Sequence, residues 1–262
     1  MPKRTACVLA TLLILPLLAR AEEWRRNYSL AGRPEVTVNT NDADIRVNAS
    51  DRKDVQAVVI VTGEEIGPSG VQITEHQDGN RVALTVHAPN RWGIVVHRRL
   101  IRVELEIPRQ ADLDLRSGDG NIRILDVKGS LRLESGDGEI EARGTEGPLK
   151  AHTSDGNIRV QGLYTALDLH TGDGNIEAQV EPGSKMESSW SLRTGDGNID
   201  LLVPASFSAE LDAHTGDGQL NFDFPLTVEG AMKESTVRGR MNSGGPTLEL
   251  RSGDGNISLH KA

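Results

Sequence analysis

The chain has 262 residues, one cysteine and a formal net charge of −9. So acidic a chain argues against nucleic acid as a partner, because binding phosphate needs concentrated Lys and Arg. With 28 glycines and only eight aromatic residues, the composition predicts many tight turns around an Ile, Leu and Val core, built from strands and not helices.

The N-terminus places Lys3 and Arg4 before an apolar run from Ala6 to Ala19, followed by Ala19-Arg20-Ala21. A basic start, an apolar stretch and an A-x-A-like site make a secretory signal peptide over residues 1–21. The run is shorter than the roughly 20 apolar residues that span a bilayer. Cleavage after Ala21 removes Cys7, the sole thiol, which leaves no disulfide, catalytic cysteine or thiolate metal site. It also removes three basic residues and no acidic one, which takes the charge from −9 to −12. With no second apolar run, neither a transmembrane helix in the mature chain nor a C-terminal anchor is expected, and the expected location is the periplasm or the cell exterior, in association with the envelope.

Residues 22–110 read as an N-terminal β portion that caps the open end of a repeat stack, as stacked repeats require. Strands are predicted at Val55 to Val61, Val71 to Thr74, Val82 to Val86 and Leu100 to Ile107, closed by Pro108. Val36, Val38, Thr40, Asp42, Ile45 and Val47 fall on the template of the later repeats, so this segment reads as a worn-down copy.

Residues 111–262 repeat a Ser/Thr-Gly-Asp-Gly-Asn-Ile turn, and internal repeats of this kind signal stacked architectures. Asp-Gly recurs at Asp119, Asp137, Asp155, Asp173, Asp196, Asp217 and Asp254, with steps of 18, 18, 18, 23, 21 and 37 residues. The last step leaves room for an extra, degenerate coil around Ser243-Gly244-Gly245. Two residues before each Asp stands Ser or Thr, and three after it stands Ile or Leu. Apolar residues six and four before the Asp (Leu113 and Leu115 in the first copy), and three and five after it (Ile122 and Ile124), alternate with polar ones. Period two marks a half-buried strand. Gly and Asx residues are expected to supply unusual backbone angles at the turn.

Four residues after the Asp, the outward column runs Arg123, Glu141, Arg159, Glu177. Alternating charge is favourable only where copies stack in parallel register, about 4.8 Å apart. The fold read from the sequence is therefore an all-β, right-handed parallel β-solenoid (β-helix) with coils of about 18–23 residues and an irregular β cap. Insertions at Glu181 to Ser189, Pro204 to Ala209 and Phe224 to Asn242 break the period and should bulge as loops.

The run from Val103 to Ile122, the later Ser-Gly-Asp-Gly copies and the ending Gly244 to Leu259 resemble the bacterial adhesin-type β-strand-repeat family, a domain of unknown function. The likeness extends from about Val36 to the end. It implies a β-helix-like body in or outside the cell envelope, and it carries over no catalytic residue.

Three sets of residues invite a sharper function. Asp119, Asp137, Asp155 and Asp173 form a column that would bind calcium along a turn ridge, yet the intervening turns (Val127 to Ser130, Thr145 to Pro148) bring no matching Asp, and the Asp side chain can bond amides of its own turn. His152 and His170 would sit on adjacent coils within reach of one transition metal, as an incomplete pair in a mixed polar ladder. Arg91, His97, Arg98, Arg99 and Arg102 beside Trp92 would contact an anionic glycan or lipid headgroup, or balance the acidic repeats. Carboxylates recur on every coil instead of clustering in one groove, which is how structural turns look and not how a polysaccharide lyase or hydrolase looks. The expected function is a non-catalytic exported envelope protein, an adhesin-like or binding scaffold for an envelope glycan, lipid or protein, with no catalytic, cofactor or metal site. The alternative is a calcium-binding or carbohydrate-processing β-helix.

Overall fold

The computed structural model describes residues 21–89, 99–228 and 235–262. Cys7, Arg91, Trp92, His97 and Arg98, and all but the last residue of the export segment, lie outside the described residues. The described chain is all β: 21 strands and, among the described residues, no helix.

Before the regular repeats come β1 (Ala21–Ser29), β2 (Glu35–Thr40), β3 (Asp44–Ser50), β4 (Asp54–Thr62), β5 (Gln72–Asp78), β6 (Arg81–His87) and β7 (Leu100–Pro108). The repeats supply β8 (Asp112–Ser117), β9 (Ile122–Leu125), β10 (Leu131–Ser135), β11 (Ile140–Thr153), β12 (Ile158–Thr171), β13 (Ile176–Val180), β14 (Trp190–Thr194) and β15 (Ile199–Val203). The last part holds β16 (Ala209–Thr215), β17 (Leu220–Phe222), β18 (Leu226–Val228), β19 (Thr236–Met241), β20 (Thr247–Ser252) and β21 (Ile257–Lys261).

The strands that enter the Asp-Gly turns, continued by β2 and β6, pair in parallel in the order β6, β2, β8, β10, β11, β12, β14, β20, β16. The strands that leave those turns, continued by β3 and β7, pair in parallel in the order β7, β3, β9, β11, β12, β13, β15, β21, β17. The register is that of the columns: Leu113 opposes Leu131, Leu131 opposes Leu149, and Leu149 opposes Leu167. The worn-down copy is a true member of the stack, since Val36 opposes Leu113 and Ile45 opposes Ile122.

Inward positions are closed to solvent from Val38 and Val47 through Leu133 and Ile158 to Leu250 and Ile257, while Leu220 and Phe222 of the outermost strand β17 are half-buried. Trp190 takes the place of the repeated Leu, and its ring lies 5.4 Å from that of Phe207, which an insertion brings in. Burying one Leu stabilises by about 1.5–3 kcal/mol, against about 0–1 kcal/mol for an exposed ion pair. The core, and not the charge on the faces, therefore carries most of the stability.

Antiparallel strands cover both ends. At the N-terminal end β1 lies on β4, β4 on β7, and β5 on β6. Tyr28 Oη donates to Glu75 (2.6 Å) and Arg26 bonds the same carboxylate (2.7 Å), which ties the two edge strands together. At the other end β19 lies antiparallel on β16, and β18 on β19.

The structure corrects three expectations. No degenerate coil forms around Ser243-Gly244-Gly245. Instead Asn242, Gly244 and Gly245 take positive φ (49°, 73° and 148°) and reverse the chain between β19 and β20. The last repeat, β20 and β21, then inserts between the coil of β14 and β15 and the coil of β16 and β17. The stretch Phe224 to Asn242 is accordingly not just a bulging loop, since it carries β18 and β19. Finally, no glycine of the seven Asp-Gly turns has positive φ, so the turn does not need glycine for its torsion angles.

What these glycines answer to is the next coil. A Cβ on Gly156 would lie 2.0 Å from the Gly138 carbonyl oxygen, and one on Gly174 2.0 Å from that of Gly156. Ala43 holds the equivalent place in the coil of β2 and β3.

Candidate functional site

The Asp-Gly turns stack into one edge of the molecule, and buried hydroxyls hold that edge together. In each copy the Ser or Thr two before the Asp accepts a bond from the glycine N–H of its own turn and donates to a backbone carbonyl of the neighbouring coil, that of Ala43 for Ser117 and of a glycine in the other six. Thr171 Oγ1 accepts from Gly174 N (3.2 Å) and donates to Gly156 O (2.8 Å). Ser135 does the same between Gly138 and Gly120, and Ser252 between Gly255 and Gly197. All seven hydroxyl residues are buried. Outside them runs an amide ladder, in which Asn157 Oδ1 accepts from Asn175 N (2.8 Å), Asn175 Oδ1 from Asn198 N (2.9 Å) and Asn198 Oδ1 from Asn256 N (2.9 Å).

This corrects the role expected of the Asp. Asp119, Asp137, Asp155 and Asp173 are exposed, their backbone N–H groups donate to the preceding coil, and among the described residues no hydrogen bond reaches their carboxylates. The hydroxyl, not the Asp, satisfies the turn. Among the described residues no three His, Cys, Asp or Glu side chains stand close enough to hold a metal ion.

The two outward faces carry rows of polar side chains. On the leaving face Arg123, Glu141, Arg159 and Glu177 are direct register partners. Arg123 pairs with Glu141, Arg159 with Glu177 (3.2 Å) and with Glu139, and Arg143 also reaches Glu141 (2.5 Å). Alternation stops at the next coil, where Asp200 opposes Glu177. Arg159→Glu, which sets a third carboxylate between Glu141 and Glu177, is expected to lower stability by about 1 kcal/mol, and by less in high salt. Urea melts at two ionic strengths check this.

The entering face presents Arg116, Glu134, His152, His170, Arg193 and Arg251 in one row. His152 and His170 stack with centroids 4.9 Å apart and planes within 2°. With Glu134, Lys150, Asp168 and Arg193 they line an open recess. Lys150 is paired with Asp168 (2.8 Å) and Arg193 with Glu249 (2.6 Å).

His170 titrates below the ordinary imidazole range. Partial burial is the main cause, followed by His152, Arg193 and Lys150, with Asp168 opposing. A folded-state pKa below the unfolded one means that the unfolded chain binds protons more readily as pH falls past about 6.5. Stability contributed by this group is therefore present above that pH and is lost below it. The drop in melting temperature from about pH 7.5 to about pH 5.5 is expected to be smaller in His170→Gln than in the unsubstituted chain.

The basic cluster divides. Arg99 is structural, since its guanidinium bonds the Asp42 carboxylate, Glu64 (3.2 Å) and the Pro89 carbonyl (2.9 Å). Asp42 is the first member of the Asp column, so Arg99 neutralises the ridge where it begins. Arg102 faces Glu104 (3.7 Å) on its own strand. The Ser/Thr column is visible in the sequence but has no role assigned from it, although its recurrence at a buried strand end is the signal.

The profile described as Toastrack DUF4097 matches residues 112–260. The chain belongs to this family. The resemblance read from the repeats thus holds, and the match starts at β8, where the regular Asp-Gly turns begin. No curated protein matches the chain. Among solved structures, a “putative cell adhesion protein” from Clostridium sporogenes aligns at 12% identity over 93% of this chain and 100% of that one, with a TM-score of 0.43. A “putative lipid binding protein” from Parabacteroides distasonis aligns at 13% identity over 93% and 98%, with a TM-score of 0.47. A “putative adhesin” from Parabacteroides merdae aligns at 13% over 92% and 97%, with a TM-score of 0.44. Among the described residues no helix is long and apolar enough to cross a membrane.

Proposed function

We propose that the chain is an exported, non-catalytic, right-handed parallel β-solenoid that serves the cell envelope as an adhesin-like binding scaffold. The observation that carries this reading is where the polar side chains stand. They occupy equivalent outward positions coil after coil, in rows such as Arg116, Glu134, His152, His170, Arg193 and Arg251. Such a surface suits an extended partner of repeating polarity, such as an envelope glycan, better than one small substrate. Right-handedness is supported by the general rule that about 98% of crossovers between parallel strands of a sheet turn that way.

Residues 1–21 are the export signal, 22–110 the cap with its first coil, and 111–262 the remaining coils. Cleavage after Ala21 would leave β1 almost whole, starting at Glu22, whose carboxylate already accepts the Ile66 N–H (2.7 Å).

The test takes the chain recovered from cell fractions, reads its N-terminus, and assays binding to envelope polysaccharides, phospholipid vesicles and envelope extracts. Expected are a mature chain starting at Glu22 and saturable binding that weakens in Arg116→Glu with Arg193→Glu. Retention in the cytoplasm, or turnover of a polysaccharide, would overturn the reading.

A further inference from the structure

The order of the coils differs from their order in the chain. The repeat with Asp254 lies between those with Asp196 and Asp217, although the Asp217 repeat precedes it in sequence. The last coil therefore fills a slot whose two walls are formed by earlier segments.

Both walls and the insert carry the same ladder chemistry. On one side Gly253 N donates to Gly195 O (2.7 Å), Ser252 Oγ to Gly197 O (2.8 Å) and Asn256 N to Asn198 Oδ1 (2.9 Å). On the other, Gly216 N donates to Gly253 O (2.6 Å), Thr215 Oγ1 to Gly255 O (2.7 Å) and Gln219 N to Asn256 Oδ1 (2.8 Å). The Asp217 repeat could make the same bonds directly to the Asp196 repeat. What favours the insert is local. Asn256 passes the amide ladder on, its Oδ1 accepting from Gln219 N, and Leu250 fills the layer next to Leu192 where the Asp217 repeat offers Ala213.

A slot whose two walls share this ladder reads a pattern, not a covalent connection. Nothing in these bonds distinguishes the chain's own last coil from that of another copy. The tether between β19 and β20 is the reversal at Asn242 to Pro246, where three residues hold positive φ, and such a reversal opens by changing few torsions.

We propose that the slot is a strand-acceptor site for a second copy of this chain: the coil Thr247–Lys261 of one copy can enter the slot of another and join the two by coil exchange. Exchange of an identical element is a low-cost route to dimers.

Register gives the test, because Ser191 on β14 opposes Glu249 on β20, with Ser191 Oγ 3.3 Å from the Glu249 carboxylate. The full chain carries Cys7→Ser throughout. The double variant Ser191→Cys/Glu249→Cys should oxidise within one chain and keep the mass of one. Copies with Ser191→Cys alone and Glu249→Cys alone, mixed and taken through partial unfolding in urea, should give a disulfide-linked species of twice that mass. Ser191→Cys mixed with Asp168→Cys should not, because Asp168, though also opposite Ser191, lies outside the exchanging coil. A first mixture that stays at single-chain mass while the double variant oxidises would overturn the proposal, as would equal yields from the two mixtures. Failure of the double variant to oxidise would remove the insertion on which it rests.

Discussion

Gly156→Ala should lower the unfolding free energy by about 3 kcal/mol or more, the upper end of what overpacking costs. The added methyl would lie 2.0 Å from the Gly138 oxygen, 2.6 Å from its carbon and 3.0 Å from Thr153 Oγ1. Two of these atoms are backbone and cannot swing aside. Making room means moving one coil from its neighbour by more than 1 Å, roughly the shortfall from contact distance. The bonds from Ser154 N to Gly136 O (2.7 Å) and from Thr153 Oγ1 to Gly138 O (3.0 Å) would go with it. Two controls separate this cause from torsional strain. Gly79, in the hairpin between β5 and β6, has φ +58° and nothing within 4 Å of an added Cβ, so Gly79→Ala should cost only about 1–2 kcal/mol. Ser154 stands where other copies have the first glycine of the turn, so Ser154→Gly should change stability by less than about 1 kcal/mol. Urea denaturation of the three variants gives the ranking, and equal losses for Gly156→Ala and Gly79→Ala would refute the steric account.

How much of this was legible in the sequence differs from feature to feature. Strand parity and register were, because the columns through Leu113 and Ile122 report side-chain direction with period two and every copy votes on them. The place of Val36 and Ile45 in the stack was legible for the same reason. The reason for the turn glycines was not. A recurring Gly signals either a left-handed torsion or a close approach, and only the neighbouring coil decides between them. The hydroxyl bridge escaped because Ser and Thr are ordinary at strand ends, and the second bond of Thr171 goes to Gly156, 15 residues away.

The order of the coils was the hardest feature to read. Stacking chemistry at Thr194, Thr215 and Ser252 is interchangeable, so the repeats themselves do not specify which coil comes next to which. The step of 37 residues before Asp254 pointed to something extra, and an additional coil was the simplest continuation of the pattern. What fills it instead is an antiparallel strand, β19, whose Thr236–Met241 sequence lacks the turn motif altogether. The differences between the two competing repeats at these places, Asn256 against Gln219 and Leu250 against Ala213, are one or a few carbons each. They acquire weight only once two coils compete for one slot.

Thr171→Val tests whether the hydroxyl ladder holds the turns or only decorates them. Valine matches threonine in shape, so the buried layer that Thr171 shares with Thr153 and Thr194 keeps its volume. The Gly174 N–H and the Gly156 carbonyl, however, lose the partner each has in Thr171 Oγ1. Leaving a buried backbone group unsatisfied costs about 1–3 kcal/mol, and two such groups give an expected loss of about 2–5 kcal/mol, read from urea denaturation. Thr171→Ser keeps the oxygen and removes one methyl, so it should cost no more than about 1 kcal/mol, in keeping with Ser135 and Ser252 doing the same work elsewhere in the stack. Hydrogen exchange adds a local readout, because the Gly174 amide should lose protection in Thr171→Val while the distant amides of β2 and β3 keep theirs. If valine costs no more than serine, the coils are held by the apolar core and the strand ladders alone, and the hydroxyl column serves only to set register.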